Sequence, residues 1–363
     1  MRKLAIALAL AGATVLGVVA CGGGGSSNSG MPTPGQFKAA VLVSDGSVTA
    51  PNTDPNLKNG WGIVFNPTGF VWVSDNNTHK STLYDGNGVP QALVVTIPPA
   101  ASGQAAGPTG IVFNSSTDFK VTANGLTANA IFLWATDAGT IAGWSPKVLP
   151  TQAVTAHDDG AGGAVYKGLA LAQNTGNNML YAADFHNGKV DIFDAAFNKV
   201  QLLGNFTDPN LPAGMAPFGI QAIGSVIYVT YAVRGPDGRT QTNGAGNGVV
   251  DAFDSAGRFV KRISAGGVLN SPWGVAMAPA NFGKFSNDLL VGNFGDGTIN
   301  AFDPNSGASL GPLTQANGSS IKQPGIWGIA FGNGVDNQPV NTLFFAAGPT
   351  PTTGVYGRID VSQ

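Results

Sequence analysis

Glutamate is absent from this 363-residue chain, so all 20 acidic residues are aspartate. Glutamate favours helices, whereas Asp, Asn and Gly favour turns. Its absence, beside 53 glycines, argues for many strands joined by tight turns, and no long helical periodicity follows residue 20. Cysteine occurs once, at Cys21, which excludes an intramolecular disulfide and leaves packing as the source of stability. Hydrophobic residues at 43% are enough for a large core. Charge is scarce, at 10% of residues, with a net of −2. No run of Lys and Arg exists to neutralise phosphates, which argues against nucleic acid as a partner.

The first 21 residues read MRKLAIALALAGATVLGVVAC. Arg2 and Lys3 precede an uncharged apolar stretch, Leu4 to Ala20, and the small Ala20 stands just before Cys21. Val18-Val19-Ala20-Cys21 resembles a bacterial lipobox, which implies a cleaved signal peptide over 1–20 and a diacylglyceryl group on the Cys21 sulfur. An ordinary cleaved secretory signal is the plainer alternative. A membrane-spanning helix would sit at the short limit of spanning length. Gly and Ser dominate the residues after the cysteine, so 21–37 is expected to be a flexible tether and 38–363 the folded domain. Gly22 rather than Asp is compatible with outer-membrane sorting. The expected address is therefore the cell envelope, with the membrane as a partner through Cys21.

A glycine followed by an aliphatic residue recurs six times: Gly62-Ile63, Gly110-Ile111, Gly168-Leu169, Gly219-Ile220, Gly274-Val275 and Gly328-Ile329. The spacings are 48, 58, 51, 55 and 54 residues, a period that suits four-stranded propeller blades. Within each unit a second apolar strand follows, such as FVWVSD (70–75) or DLLVGN (288–293), then a third, such as GKVDIFD (188–194), and a variable fourth. The sixth unit stops after its third strand, while AAVLVSD (39–45) has no unit of its own. This predicts an all-β, six-bladed β-propeller whose N-terminal strand completes the last blade and removes the exposed edges. The six glycines are expected where the first strands converge on the central channel.

The segments LYAADFHNGKVDIFD (180–194) and LLVGNFGDGTINAFD (289–303) resemble repeats of NHL-class propellers. More broadly, 38–360 resembles a family of uncharacterised exported bacterial proteins, carried by NTDPNLKNGWGIVFNPTGFVWVSDNNT (52–78) and SPWGVAMAPANFGKFSNDLLVGNFGDGTINAFDP (271–304). That resemblance implies six blades and export, with no settled reaction.

Propellers of this kind place their binding residues on one face, around the channel mouth. The repeat puts Asp75, Asn76, Asp137, Asp184, His186, Tyr231, Asn293 and Asp296 on that face. Trp61, Phe218, Trp273 and Trp327 fall at the same rim, either to stack on a ligand or to pack between blades. A divalent metal is a possible cofactor, with His157, Asp158, Asp159, Asp184 and His186 as candidate ligands in blade three, although Asp also caps turns. Gluconolactonase-type propellers hold such a metal with a Glu among the ligands, which this chain would have to replace by Asp. The long segment 232–248, with Arg234, Asp237 and Arg239, either lids the channel or is a surface insertion. The favoured expectation is a non-enzymatic binder of a small ligand or envelope protein. The alternatives are a metal-dependent hydrolase or lyase and a purely architectural protein with a filled channel.

Overall fold

The computed structural model describes residues 36–362. Six antiparallel sheets stand around an axis, and the first strand of each packs against the first strands of its two neighbours. These first strands are Gly60–Phe65, Pro108–Phe113, Tyr166–Asn174, Met215–Ile223, Pro272–Met277 and Ile326–Phe331. Among the described residues there is no α-helix, only three short 3-10 turns.

The ring closes as the spacing predicts. Phe37–Ser44 pairs antiparallel with Val355–Val361, from Phe37 opposite Val361 to Ser44 opposite Val355. It begins two residues earlier than the apolar run suggested. Phe37 is 1% exposed and its ring lies 4.8 Å from Phe282 and 5.8 Å from Phe285. The folded domain therefore starts within the span expected to be tether. Asn52–Thr53 adds a short parallel strand outside it.

The second strands explain why the repeats read as continuous apolar runs. Their side chains alternate between faces, and each face meets a different blade. Trp72 packs toward blade two with Phe132 and Trp134, while Val71 and Val73 pack toward blade six with Phe344 and Tyr356. Six such inter-blade cores hold the ring together.

Two departures come from the outer rim. The 58-residue spacing contains an additional hairpin, Lys120–Ala123 with Leu126–Asn129, inserted after the first strand of blade two. The fourth strands of blades one and three shrink to Val95–Thr96 and Lys199–Val200.

All six channel glycines sit where a side chain has no room. A Cβ on Gly219 would lie 2.1 Å from the Trp273 carbonyl oxygen, and one on Gly110 would lie 2.2 Å from the Leu169 nitrogen. The equivalent clash at Gly62, Gly168, Gly274 and Gly328 is also with the backbone of the next first strand.

Candidate functional site

Each first strand slips register against its second strand at one place. The breaks fall between Gly60 and Ile63, Pro108 and Ile111, Tyr166 and Gly168, Pro217 and Gly219, Pro272 and Val275, and Ile326 and Ile329. A bulge re-aims the side chain it contains. Here that is the residue before each channel glycine: Trp61, Thr109, Lys167, Phe218, Trp273 and Trp327.

These residues meet one another across the ring. Trp61 and Trp327 stack at 3.5 Å between ring centroids, and Trp273 stands edge-on to both, at 6.1 and 5.9 Å. Phe218 lies 5.6 Å from Trp327, and Phe294 stacks on Trp327 at 4.0 Å. Trp273 donates its indole N–H to the Lys167 carbonyl oxygen at 2.9 Å, and Trp327 donates to Asn59 Oδ1 at 3.2 Å. Three indoles and Phe218 are buried, so in this structure they stack on each other and fill the upper channel. Beneath the plug a cavity of about 20 Å³ remains, room for about one water. The far end opens into a depression of about 160 Å³ lined by Ile63, Val112, Leu171 and Ala222.

Lys167 is the one charged member of the six. It is 7% exposed, and its Nζ lies 4.9 Å from the Trp61 ring centroid. Among the described residues its ammonium has no hydrogen-bond acceptor and no carboxylate at ion-pair distance. Burial pulls it down from 10.5 to about 8, against the attraction of Asp137 and Asp237 and with the repulsion of Arg239.

The segment 232–248 crosses above this lysine. Arg239 Nη2 donates to the Asp137 carbonyl of blade two at 2.7 Å. Arg234 donates to the His186 carbonyl of blade three, and His186 Nδ1 lies 3.2 Å from the Gly238 carbonyl oxygen. Ser271 of blade five bonds Asn243 at 2.9 Å, and Asn270 Oδ1 accepts from Gly244 at 2.8 Å. The insertion is thus a strap anchored on blades two, three and five.

The polar residues expected on this face are brought there, and most are engaged with the backbone. Asp184 Oδ1 accepts from the Val165 and Asn187 N–H groups, at 3.1 and 3.2 Å. Asn293 accepts from the Asn270 N–H at 3.1 Å, and Asp296 accepts from the Thr298 N–H at 3.0 Å. Asp137 accepts from the Gly107 N–H at 2.9 Å and from Asn76 Nδ2 at 3.3 Å. The bonds from Gly107, Val165 and Asn270 close the loops leading into blades two, three and five, and those from Asn187 and Thr298 lie within turns. Two residues differ. Asp75 is fully buried with neither oxygen partnered, and burial pushes it well above the usual carboxylate range. Tyr231 is buried between blades three and four with its hydroxyl unpartnered.

The five candidate metal ligands do not converge. Among the described residues no group of three or more His, Cys, Asp or Glu side chains is placed to hold a metal. Asp158 accepts from the Ala101 and Gly160 N–H groups, at 2.7 and 2.9 Å. Asp159 is taken by Lys199, by the Tyr166 hydroxyl at 2.9 Å, and by His157 at 3.4 Å. His186 is held by the strap. The physical reason is that loop backbone N–H groups compete for these carboxylates. Cys21 lies outside the described residues.

Sequence reading passed over Lys167. The available signal was its place before a channel glycine, where four of the other five residues are aromatic. It also passed over Gly307-Ala-Ser309-Leu-Gly311, which fits the Gly-x-Ser-x-Gly pattern. That run leads into the exposed outermost strand of blade five, with no helix following, so it lacks the strand-to-helix elbow the pattern requires.

No protein-family profile matches the chain. Among solved structures it is similar to a virginiamycin B lyase from Staphylococcus aureus, with a TM-score of 0.50 and 14% identity over 85% of this chain and 83% of that one. It is equally similar to a streptogramin B lyase, with a TM-score of 0.50 and 13% identity over 92% and 100%. At such identity the likeness concerns the fold alone. Two sequence relatives are nearer, both viral where the resemblance implied exported bacterial proteins. Uncharacterized protein R648 of Acanthamoeba polyphaga mimivirus is 35% identical over 86% of this chain and 76% of its own length. Uncharacterized protein L690 of the same virus is 34% identical over 81% and 78%. With about a third of the residues identical along most of both chains, this protein, a β-propeller, belongs to the family of R648 and L690.

Proposed function

We infer that this propeller is a binding module, exported and held at a bacterial outer membrane by a lipid on Cys21, that takes a small ligand or an envelope protein at its channel-mouth face. The observation that carries the binding reading is Lys167. A nearly buried ammonium with no protein acceptor, in a ring otherwise aromatic or neutral, is costly to the fold, and a ligand would supply the acceptor it lacks. The aspartates of the same face accept from loop N–H groups, which supports binding over metal-dependent hydrolysis. The membrane reading rests on the N-terminal residues alone, since the sequence relatives are viral.

Two experiments test this. Cys21→Ser is expected to move the protein from the membrane fraction to the soluble fraction; a variant that stays membrane-bound refutes the anchor. Hydrogen exchange of the full-length protein, with and without small molecules extracted from its host cells, is expected to show protection at 234–247 and around Lys167. Protection confined to other blades removes the channel mouth as the binding face. A second reading, an architectural propeller, is favoured by the indoles that fill the upper channel. It requires no protection at all.

A further inference from the structure

Two hydrogen-bond donors of the bulge ring have no acceptor among the described residues. The Lys167 ammonium makes no hydrogen bond to another described residue, and the fully buried Trp61 indole N–H has no partner either. Arg239 uses one N–H, on the Asp137 carbonyl, and has no carboxylate at ion-pair distance among the described residues. The carboxylates nearest Lys167 are already engaged: Asp137 by Gly107 and Asn76, Asp237 by the Arg239 and Thr240 N–H groups at 2.9 Å each. Lys167 and Arg239 thus share the mouth with Asp137 and Asp237, but neither cation has a carboxylate in direct contact, and the oxygens of both aspartates already accept from N–H groups.

We propose that the mouth takes a small organic anion, a carboxylate on a flat apolar body, with Lys167 and Arg239 as its cationic partners and the strap 234–247 as its cover. This rests on the binding reading above and names its ligand class. A carboxylate supplies the acceptors that these donors lack, in a setting where water competes poorly. The flat apolar body follows from the aromatic plug beside Lys167, whose rings stack on one another in this structure and would stack on a ligand that parts them. A bound metal cation would meet Lys167 and Arg239 as repulsive neighbours, and a neutral sugar would leave both charges unmatched.

Entry requires the strap to lift. No residue of 234–247 belongs to an apolar core cluster, and its anchors are hydrogen bonds, that of Arg234 exposed and the others half-buried. Such segments open at small cost. Arg239 travels with the strap, so closure would bring the second cation onto the bound anion.

The test uses benzoate, with benzamide as its neutral isostere, titrated into the full-length protein and read by tryptophan fluorescence and by the Lys167 side-chain ¹⁵N resonance. Benzoate is expected to bind with a Kd on the order of 1 mM and benzamide at least about tenfold more weakly. Lys167→Met is expected to lose about tenfold or more in benzoate affinity, and Arg239→Gln a smaller factor. A variant with 235–246 replaced by an Asn-Gly turn is expected to bind benzoate faster and release it faster. Equal binding of the two probes, or undiminished benzoate binding by Lys167→Met, overturns the anion proposal and leaves the mouth as a binding face. Silence toward both probes, in the wild type and in the shortened-strap variant, overturns the proposal and counts against the binding reading too.

Discussion

Replacing Lys167 by methionine keeps a long unbranched side chain and removes the charge, and it should make the protein more stable. Folding lowers this ammonium from 10.5 to about 8, with burial as the leading cause. Each pKa unit corresponds to about 1.4 kcal/mol, so the folded state carries a penalty of about 3 kcal/mol at neutral pH. The contact with the Trp61 ring returns about 1 kcal/mol and is lost in the variant. The net expectation is a gain of about 2 kcal/mol for Lys167→Met near pH 7. The slope has the same sign as for a carboxylate whose folded value is lowered, and reverses the usual lysine case, in which a partner raises the folded value. Below the folded value of about 8 both states hold the proton and the penalty is complete. Between about 8 and 10.5 the unfolded chain binds a proton that the folded one does not, so wild-type stability rises with pH and approaches that of the variant. Asp137, Asp237 and Arg239, the other charged groups facing Lys167, are common to both proteins. Urea unfolding of both, near pH 7 and near pH 10, measures the gap. Equal midpoints at neutral pH, or a gap that does not narrow in alkali, would refute the idea that the lysine is buried at a cost.

Gly219→Ala should destabilise by about 2–3 kcal/mol or more, because the added methyl meets the Trp273 carbonyl; Gly162→Ala, with open space around it, should stay within about 0.5 kcal/mol, and thermal melts compare the two. Arg262→Met strands two buried carboxylates, Asp208 and Asp251, and should cost about 3–5 kcal/mol. Adding Asp208→Asn and Asp251→Asn should restore much of that loss in a denaturant titration, and no recovery would show that the arginine acts by its packing. Phe37→Ala removes a buried ring from the blade five–blade six core and should cost about 3–5 kcal/mol, read as an earlier unfolding midpoint.

The ring was readable because its constraints repeat. A glycine must stand wherever a first strand meets the next, and apolar strands must face a blade on both sides, so the same letters recur at Gly62, Gly110 and Gly274. The outer strands carry no such constraint. They pair on one side only, which is why Val95–Thr96 is shorter than the apolar run around it and why the hairpin at 120–129 showed only as an over-long spacing. Candidate site residues could be assigned to a common face from the sequence, because the repeat fixes which strand ends share it. Their roles were not legible. An aspartate that accepts loop N–H groups, as Asp184 does, has the same sequence signature as one that binds a metal. Lys167 became conspicuous only once bulges from six separated segments were seen to converge.

The pairing of Phe37–Ser44 with Val355–Val361 sets the order in which the molecule can be completed. During synthesis Phe37–Ser44 has no antiparallel partner until more than three hundred residues later, so the last blade cannot form before Val355–Val361 has been made. Until then that strand is an open template for a foreign one, and the assembling protein is most vulnerable to aggregation just before the two ends meet.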